Sequence, residues 1–251
     1  MKEVLYTIPV NDGFDTQDEC PFCYMEREVE QQAIRYVVGP AATYMEPTVR
    51  AAVGSVGFCS HHMKSLYDYG NSLGAAMILQ THLTSVLDEI KNRRGETLVI
   101  PEKKRMFHKK PVNTDMPYGD VLTARADVCY ICDKIEYNMS RHYHTFFALL
   151  KEKEFREKVE NCKGFCLRHF ARLLQDAENY LPDSQREWFY TTAYNLMCEN
   201  LERVKDDLDW FIAKFDYRNA SEPWRNSQDA LPRTMQKIQG IYPSDPPYRK
   251  K

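Results

Sequence analysis

Cysteine and histidine residues recur in this sequence in pairs whose spacing suits the binding of a metal ion. A Cys-x-x-Cys pair occupies Cys20–Cys23, and a Gly-Phe-Cys-x-x-His segment ends at His62, having begun at Gly57. The same two motifs return at Cys129–Cys132 and at Gly164–His169. The gap from the second to the third cysteine is 36 positions in the first set and 34 in the second. This agreement predicts an internal duplication.

Zinc in structural sites takes four tetrahedral ligands, commonly thiolate sulfur and imidazole nitrogen. Each copy offers three cysteines and one histidine, which predicts two zinc ions per chain, one in each copy. The predicted ligands are Cys20, Cys23, Cys59 and His62 in copy one, and Cys129, Cys132, Cys166 and His169 in copy two. An iron–sulfur cluster, which three cysteines and one histidine can also hold, is the less favoured alternative.

The duplication also selects between two adjacent histidines. His169 lies three positions after Cys166, and its counterpart three positions after Cys59 is His62. His61 aligns with Arg168 and is predicted to lie on the surface. The Gly-Phe pair before the third cysteine predicts a tight turn, in which the glycine adopts an unusual backbone angle and the Cys and His come from the first turn of a helix.

Two further cysteines fall outside the repeat. Ser55 occupies the position that matches Cys162, and Cys198 has no equivalent in copy one. We interpret both as small buried or half-buried residues rather than ligands. A closed shell of four protein ligands leaves no position for a reactive water, so we predict no catalytic residues and lean against an enzyme.

A thiol redox enzyme or sensor that uses Cys20 and Cys23 is the alternative from another class of function. The Cys-Pro-Phe-Cys segment is similar to a glutaredoxin active site, and residues 4–10 could form the strand before it. Such chemistry needs a βαβ context and a reactive thiolate at a helix N-terminus. It would leave Cys59 and His62 without a role, and copy two has Tyr130 where the proline stands.

Composition narrows the class of protein. A formal net charge of −2 over 251 residues argues against a dedicated nucleic-acid binder. No apolar stretch approaches the roughly 20 residues that span a bilayer, and the N-terminus does not have the pattern of a secretory signal. We expect a cytoplasmic protein, in which regularly spaced cysteines more often bind metal than form disulfides.

Apolar residues recur at helical spacing through both copies, which predicts an all-α, internally duplicated helical bundle. The strongest run starts after Pro182 and predicts an amphipathic helix of roughly 30 residues. A second predicted apolar face consists of Leu73, Met77, Leu83, Leu87 and Ile90. Glu26, Glu28, Glu30 and Glu136 have no Glu-x-x-His context for a di-iron site and are interpreted as solvated faces.

The repeat and the charge pattern predict four segments. These are repeat 1 at residues 1–92, a basic linker at 93–126, repeat 2 at 127–218, and a C-terminal helix with a flexible tail at 219–251. The linker region carries basic residues and prolines that interrupt a helix, and we interpret it as a solvated connector. The aromatic cluster after the long helix, Phe215–Trp224, is interpreted as covering the end of the bundle.

These motifs give the chain a family resemblance. Glu19–Cys23, the two Gly-Phe-Cys-x-x-His segments and Phe215–Trp224 are similar to a bacterial family of helical proteins classed as a domain of unknown function. Its members are sometimes labelled as substrate-binding proteins of ABC transporters. The resemblance implies a helical architecture over nearly the whole chain and no established activity.

From these observations we predict a zinc-stabilised helical protein that binds or scaffolds a protein or small-molecule partner. The redox enzyme is the first alternative and a solute-binding protein the second. A solute-binding role would require a sizeable pocket between the helices.

Overall fold

The computed structural model describes residues 4–93 and 118–243, and within these ranges every regular element is helical. The prediction of an all-α protein is confirmed. The α-helices are α1 Val4–Asp15, α2 Pro21–Val38, α3 Pro47–Val56, α4 Ser60–Asp68, α5 Ser72–Arg93, α6 Tyr118–Asp127, α7 Tyr130–Leu149, α8 Lys153–Glu160, α9 Leu167–Tyr180, α10 Asp183–Ala213 and α11 Ala230–Gln239. Short 3-10 turns occur at Thr43–Met45 and Tyr217–Asn219.

The described residues divide into two compact units. Unit 1 comprises residues 4–29 and 135–243, and unit 2 comprises residues 30–93 and 118–134. Helices α2 and α7 contribute residues to both units.

The core of unit 1 is aromatic. Phe14, Phe22 and Phe146 are each at most 2% exposed. The ring of Phe22, which lies inside the first Cys-x-x-Cys motif, stacks on Tyr143 with ring centroids 4.7 Å apart. Phe22 therefore fixes the motif to the interior of the unit, since large buried aromatic side chains contribute strongly to stability.

The long helix α10 also belongs to unit 1. It has 31 residues and begins directly after Pro182, as predicted. Its first half supplies buried side chains such as Phe189 and Met197, whereas Ile212, near its C-terminus, is 61% exposed. The apolar pattern of its last turns therefore does not mark core residues.

The core of unit 2 is smaller and aliphatic. Ile34, Val53 and Ile78 are fully buried. Gly54 of α3 lies so close to α5 that a Cβ atom added to it would come within 3.0 Å of Thr81 Cγ2. A small residue at this point allows the two helices to pack closely.

The predicted apolar face of α5 is mostly exposed to solvent. Leu73 and Leu83 are 64% and 67% exposed, and Leu87 and Ile90 are also exposed. Because α5 approaches α3 through Gly54, the buried side of α5 is the side that carries Ile78. The apolar residues that set the predicted face lie on another side of the helix.

The aromatic cluster after α10 is likewise not a cover for the bundle. Phe215 is 76% exposed and Tyr217 is 86% exposed, so the interpretation from the sequence is wrong for these two rings. Most of the predicted basic linker, residues 94–117, and the end of the predicted flexible tail, residues 244–251, lie outside the described residues. Among the helices that are described, none combines the length and the apolar character needed to cross a membrane.

Candidate metal centres

All eight predicted ligands come together, but in a different pairing from the one predicted. Site 1 consists of Cys20, Cys23, Cys166 and His169, and site 2 consists of Cys59, His62, Cys129 and Cys132. In each site the four ligand atoms lie within 4.8 Å of one another. The prediction that each copy forms its own site is therefore wrong: each site takes its Cys-x-x-Cys pair from one copy and its Cys-x-x-His pair from the other.

Helix lengths give a physical reason for this exchange. The first Cys-x-x-Cys pair opens α2, which has 18 residues and is about 27 Å long. The next helix, α3, has 10 residues and is about 15 Å long. In copy two, α7 with 20 residues is followed by α8 with only 8. In each case the helix that leads away from the Cys-x-x-Cys pair is longer than the helix that follows. The second helix is therefore too short to return the chain to the same pair.

Each ligand pair lies at the N-terminus of a helix. Cys59 and Cys166 are the N-cap residues of α4 and α9, and the histidine of each pair is the third residue of its helix. Cys20 and Cys129 directly precede α2 and α7 in the same way. Two helix N-termini thus point at each site, and their partial positive charge favours the thiolate form of the ligands.

The glycine of each Gly-Phe-Cys-x-x-His motif has the predicted backbone angle. Gly57 has φ = 88° and Gly164 has φ = 75°. This region of backbone space is accessible to glycine at little cost. The turn places the following cysteine at the N-cap position of the next helix, and the prediction of a tight turn with an unusual glycine angle before the third cysteine is confirmed.

Site 1 is compact and fully buried. His169 Nδ1 lies 3.3 Å from Cys20 Sγ, 3.4 Å from Cys23 Sγ and 3.2 Å from Cys166 Sγ. A tetrahedral zinc ion with bonds of about 2.3 Å to sulfur and about 2.0 Å to nitrogen separates these two atom types by about 3.5 Å. The ligand atoms are therefore spaced as one small ion requires.

Site 2 has the same geometry, but its ligands are less buried. His62 Nδ1 lies 3.3 Å from Cys59 Sγ, 3.3 Å from Cys129 Sγ and 3.4 Å from Cys132 Sγ. Cys59 Sγ and Cys132 Sγ are 3.9 Å apart, close to the roughly 3.8 Å expected for two sulfurs on one tetrahedral zinc ion. Cys129 is buried, Cys59 is half-buried, and Cys132 is exposed.

A carboxylate lies behind each histidine. Glu26 Oε2 is 3.4 Å from His169 Nε2, and Glu30 Oε1 is 3.2 Å from His62 Nε2. Histidines that bind metal commonly have a carboxylate at the second ring nitrogen, which fixes the tautomer and the orientation of the ring. The sequence interpretation of Glu26 and Glu30 as solvated faces is therefore wrong. The available signal was their position within two turns after Cys23 on α2.

In each site, the residue before the candidate histidine ligand contacts the same carboxylate as the histidine does. Arg168 forms an ion pair with Glu26, and His61 Nε2 lies 3.0 Å from Glu30 Oε1. The His61 side chain is 69% exposed and that of His62 only 4%, so the choice of His62 as the ligand agrees with its burial in the cluster. His61 and Arg168 hold equivalent positions in the two motifs and contact equivalent partners.

The electrostatics of both sites favour a cation among the sulfurs. Burial acts to lower the pKa of His62, but its contacts with Cys129 and Glu30 outweigh burial and raise the pKa to about 10. Burial also acts to lower the pKa of His169. Its contacts with Cys20 and Cys166 outweigh burial and raise that pKa. Each imidazole is thus surrounded by groups that attract positive charge, which a divalent ion would supply more effectively than a proton.

Buried charged side chains hold the backbone around site 1 in place. Lys237 of α11 is 1% exposed, and its Nζ donates a hydrogen bond of 2.6 Å to the carbonyl of Glu19, directly before Cys20. The same Nζ donates to the carbonyl of Lys163, directly before Gly164. Arg203 contacts the Glu19 carboxylate at 2.5 Å. Lys237 therefore ties together the two segments that carry the two ligand pairs.

The end of α11 also covers the sulfurs of site 1. Gly240, with φ = 75°, lies so close that a Cβ atom there would be 3.4 Å from Cys166 Sγ and 3.5 Å from Cys23 Sγ. Gly240 therefore closes over site 1.

Site 2 is braced by backbone contacts. The amide of Tyr130 donates to the carbonyl of Gly57 at 2.9 Å, which joins the turn of one ligand pair to the helix start of the other. His82 Nδ1 lies 2.6 Å from the carbonyl of Gly54, and its ring packs against Gly57. No motif in the sequence indicates this role for His82.

The remaining cysteines lie outside both sites. Cys162 is buried, as predicted, and accepts a hydrogen bond of 3.3 Å from the amide of Gly164. Cys198 is exposed, so the prediction that it is buried or half-buried is wrong. Residues 4–10, which the redox alternative required as a strand, belong to helix α1. Cys20 and Cys23 are 0% and 1% exposed, which leaves no access for a disulfide substrate.

The fold and the two clusters define an all-α protein with a pair of Cys₃His groups able to hold metal ions. Over residues 1–245 the sequence matches the DUF6062 family, described as a family of unknown function, and the chain belongs to that family. No curated protein and no solved structure matches it.

Proposed function

We propose that the chain is a zinc protein in which two closed Cys₃His sites stabilise a helical scaffold. The observation that carries the proposal is that all eight cysteine and histidine ligands converge in two tetrads, each with a carboxylate at the outer nitrogen of its histidine. Three thiolates and one neutral imidazole around a divalent ion leave a net charge of about −1, which two helix N-termini stabilise.

Zinc is preferred over the other metals that cysteine binds. Thiolate and imidazole ligands in tetrahedral geometry favour zinc or an iron–sulfur centre. In an iron–sulfur cluster the ligands are distributed over several iron atoms, so they stand farther apart than ligands of a single ion. Ligand atoms that all lie within 4.8 Å suit one ion. We propose a compartment that keeps these thiols reduced, such as the cytoplasm.

A binding or scaffold role is favoured over catalysis and over solute transport. Within the described residues of unit 1, one cavity of about 200 Å³ is lined by charged residues such as Asp18, Lys163 and Arg233, and this cavity is smaller than the roughly 300–1,000 Å³ of typical ligand pockets. In unit 2, Leu83, Leu87 and Ile90 are exposed at helical spacing on α5. Exposed apolar residues on one face are typical of an interaction surface.

Metal analysis of double variants tests the proposal and the pairing together. Protein purified without added metal should contain about two zinc ions per chain by elemental analysis and native mass spectrometry. Cys59→Ser with Cys132→Ser removes two ligands of site 2 and should leave about one zinc ion per chain. The matched variant Cys59→Ser with Cys23→Ser removes one ligand from each site and should lower the zinc content further.

The opposite pattern of zinc contents would contradict the exchanged pairing. If each copy formed its own site, the Cys59 and Cys23 double variant would retain one full zinc ion and the Cys59 and Cys132 variant would lose both. Folded wild-type protein without zinc would contradict the proposal itself.

A further inference from the structure

We propose that site 2 is an oxidation site, at which a peroxide converts Cys132 and Cys59 to a disulfide and releases the metal ion, while site 1 retains its ion. This inference rests on the proposed zinc occupancy of both sites. It assigns a chemical reactivity to one of two clusters that have the same ligand types.

Exposure distinguishes the two clusters. All four ligands of site 1 are buried, and Phe22 and Gly240 close over them. In site 2, Cys132 is exposed and Cys59 is half-buried. Oxidation of a cysteine depends on its thiolate character and on its access to the oxidant. A metal-bound sulfur has thiolate character in both sites, so access decides which one reacts.

Geometry indicates the pair that forms the bond. The sulfurs of Cys59 and Cys132 are 3.9 Å apart, and a disulfide bond is about 2.05 Å long. The two sulfurs therefore have to approach by about 2 Å, which is within the range of side-chain rotation. Cys59 is the N-cap of α4 and lies ahead of its first helical turn, so its side chain can turn without unwinding the helix.

The reaction balances with one molecule of hydrogen peroxide. The Cys132 thiolate attacks a peroxide oxygen, the O–O bond breaks, and the products are a sulfenic acid on Cys132 and one hydroxide ion. The Cys59 thiolate then attacks the Cys132 sulfur, the S–S bond forms, and a second hydroxide ion leaves. The two thiolates lose two electrons, which the peroxide gains. Only Cys129 and His62 remain as ligands, too few to retain the ion.

The full zinc-loaded chain, treated with hydrogen peroxide, provides the test. Zinc release is followed with a chromogenic chelator, and the disulfide is mapped by mass spectrometry of a non-reducing digest. We expect about one zinc ion per chain to be released at least about tenfold faster than the second, with a Cys59–Cys132 bond in the digest. Reduction with a dithiol in the presence of zinc should restore the lost ion.

Two variants separate the possible outcomes. Cys198→Ser removes an exposed thiol that is not a ligand and should release zinc as the wild type does. Cys132→Ser should retain only the slowly released ion. Release of both ions at one rate, release of none, or a Cys129–Cys132 bond in place of Cys59–Cys132 would overturn the inference. Protein that contains no zinc before treatment would instead contradict the proposed function.

Discussion

The two sites use the same kinds of ligand at the same helix positions, yet they lie in different surroundings. Site 1 is enclosed by an aromatic core and tied down by Lys237, which is 1% exposed. Site 2 lies in a unit with an aliphatic core and exposes Cys132 to solvent. A ligand motif therefore sets the chemical type of a site, whereas the packing around it controls how firmly an ion can be held and what can reach it.

The largest expected effect comes from removing one ligand from each site in turn. Cys166→Ser should cost much of the roughly 10 kcal/mol or more that a structural zinc ion contributes, enough to unfold unit 1. Cys132→Ser should leave unit 1 folded. All three tryptophans of the chain, Trp188, Trp210 and Trp224, lie in unit 1, so tryptophan fluorescence reports on that unit.

Cys198→Ser is the control for this comparison, since it changes an exposed cysteine outside both sites. A fluorescence change in Cys132→Ser as large as that in Cys166→Ser would show that the two sites do not differ in their contribution to unit 1.

A smaller effect is expected from the carboxylates behind the histidines. Glu26→Gln should weaken zinc binding at site 1, and Glu30→Gln should weaken it at site 2, each by about 10- to 100-fold, or about 1.4 to 2.7 kcal/mol. The reason is that the amide no longer offers a charged acceptor to the imidazole N–H. Competition with a chelator of known affinity measures the change.

Glu136→Gln is the matched control, because this carboxylate is 71% exposed and only distantly paired with Arg172. Equal weakening by all three substitutions would mean that general charge, and not contact with the histidine, sets the affinity.

A third prediction concerns the core that encloses site 1. Burial lowers the pKa of His142 to about 4. Below pH 6.5 the unfolded chain protonates this residue while the folded chain does not, so the stability of unit 1 falls as the pH falls from 6.5 towards 4. At pH 5 the loss is about 2 kcal/mol, from about 1.4 kcal/mol per pH unit.

His142→Phe keeps a ring against Tyr6 and removes the titration. Urea unfolding of the zinc-loaded variant should therefore lose about 2 kcal/mol less between pH 7 and pH 5 than the wild type does. Metal ligands titrate in both proteins, so the difference between them isolates His142. Equal losses in both would contradict a neutral buried histidine.

Much of the local structure could be predicted from the sequence because it depends on short-range patterns. The start of α10 after Pro182 and the positive φ angles of Gly57 and Gly164 are examples. The face of α5 could not be predicted, since Leu83 and Leu87 are as apolar as Ile78 and only the close approach at Gly54 shows which side is covered. The exposure of Phe215 and Tyr217 could not be predicted either, because it too depends on tertiary packing.

Spacing along the sequence was enough to predict the eight candidate ligands and the choice of His62 over His61, because both depend on positions within one helical turn. The pairing of the four motifs could not be read from spacing, since it depends on the lengths of α2 and α7 relative to the helices that follow them. Tertiary packing also placed Glu26 and Glu30 behind the histidines and left Cys132 exposed. The difference between the two sites therefore arises from contacts between residues far apart in the sequence.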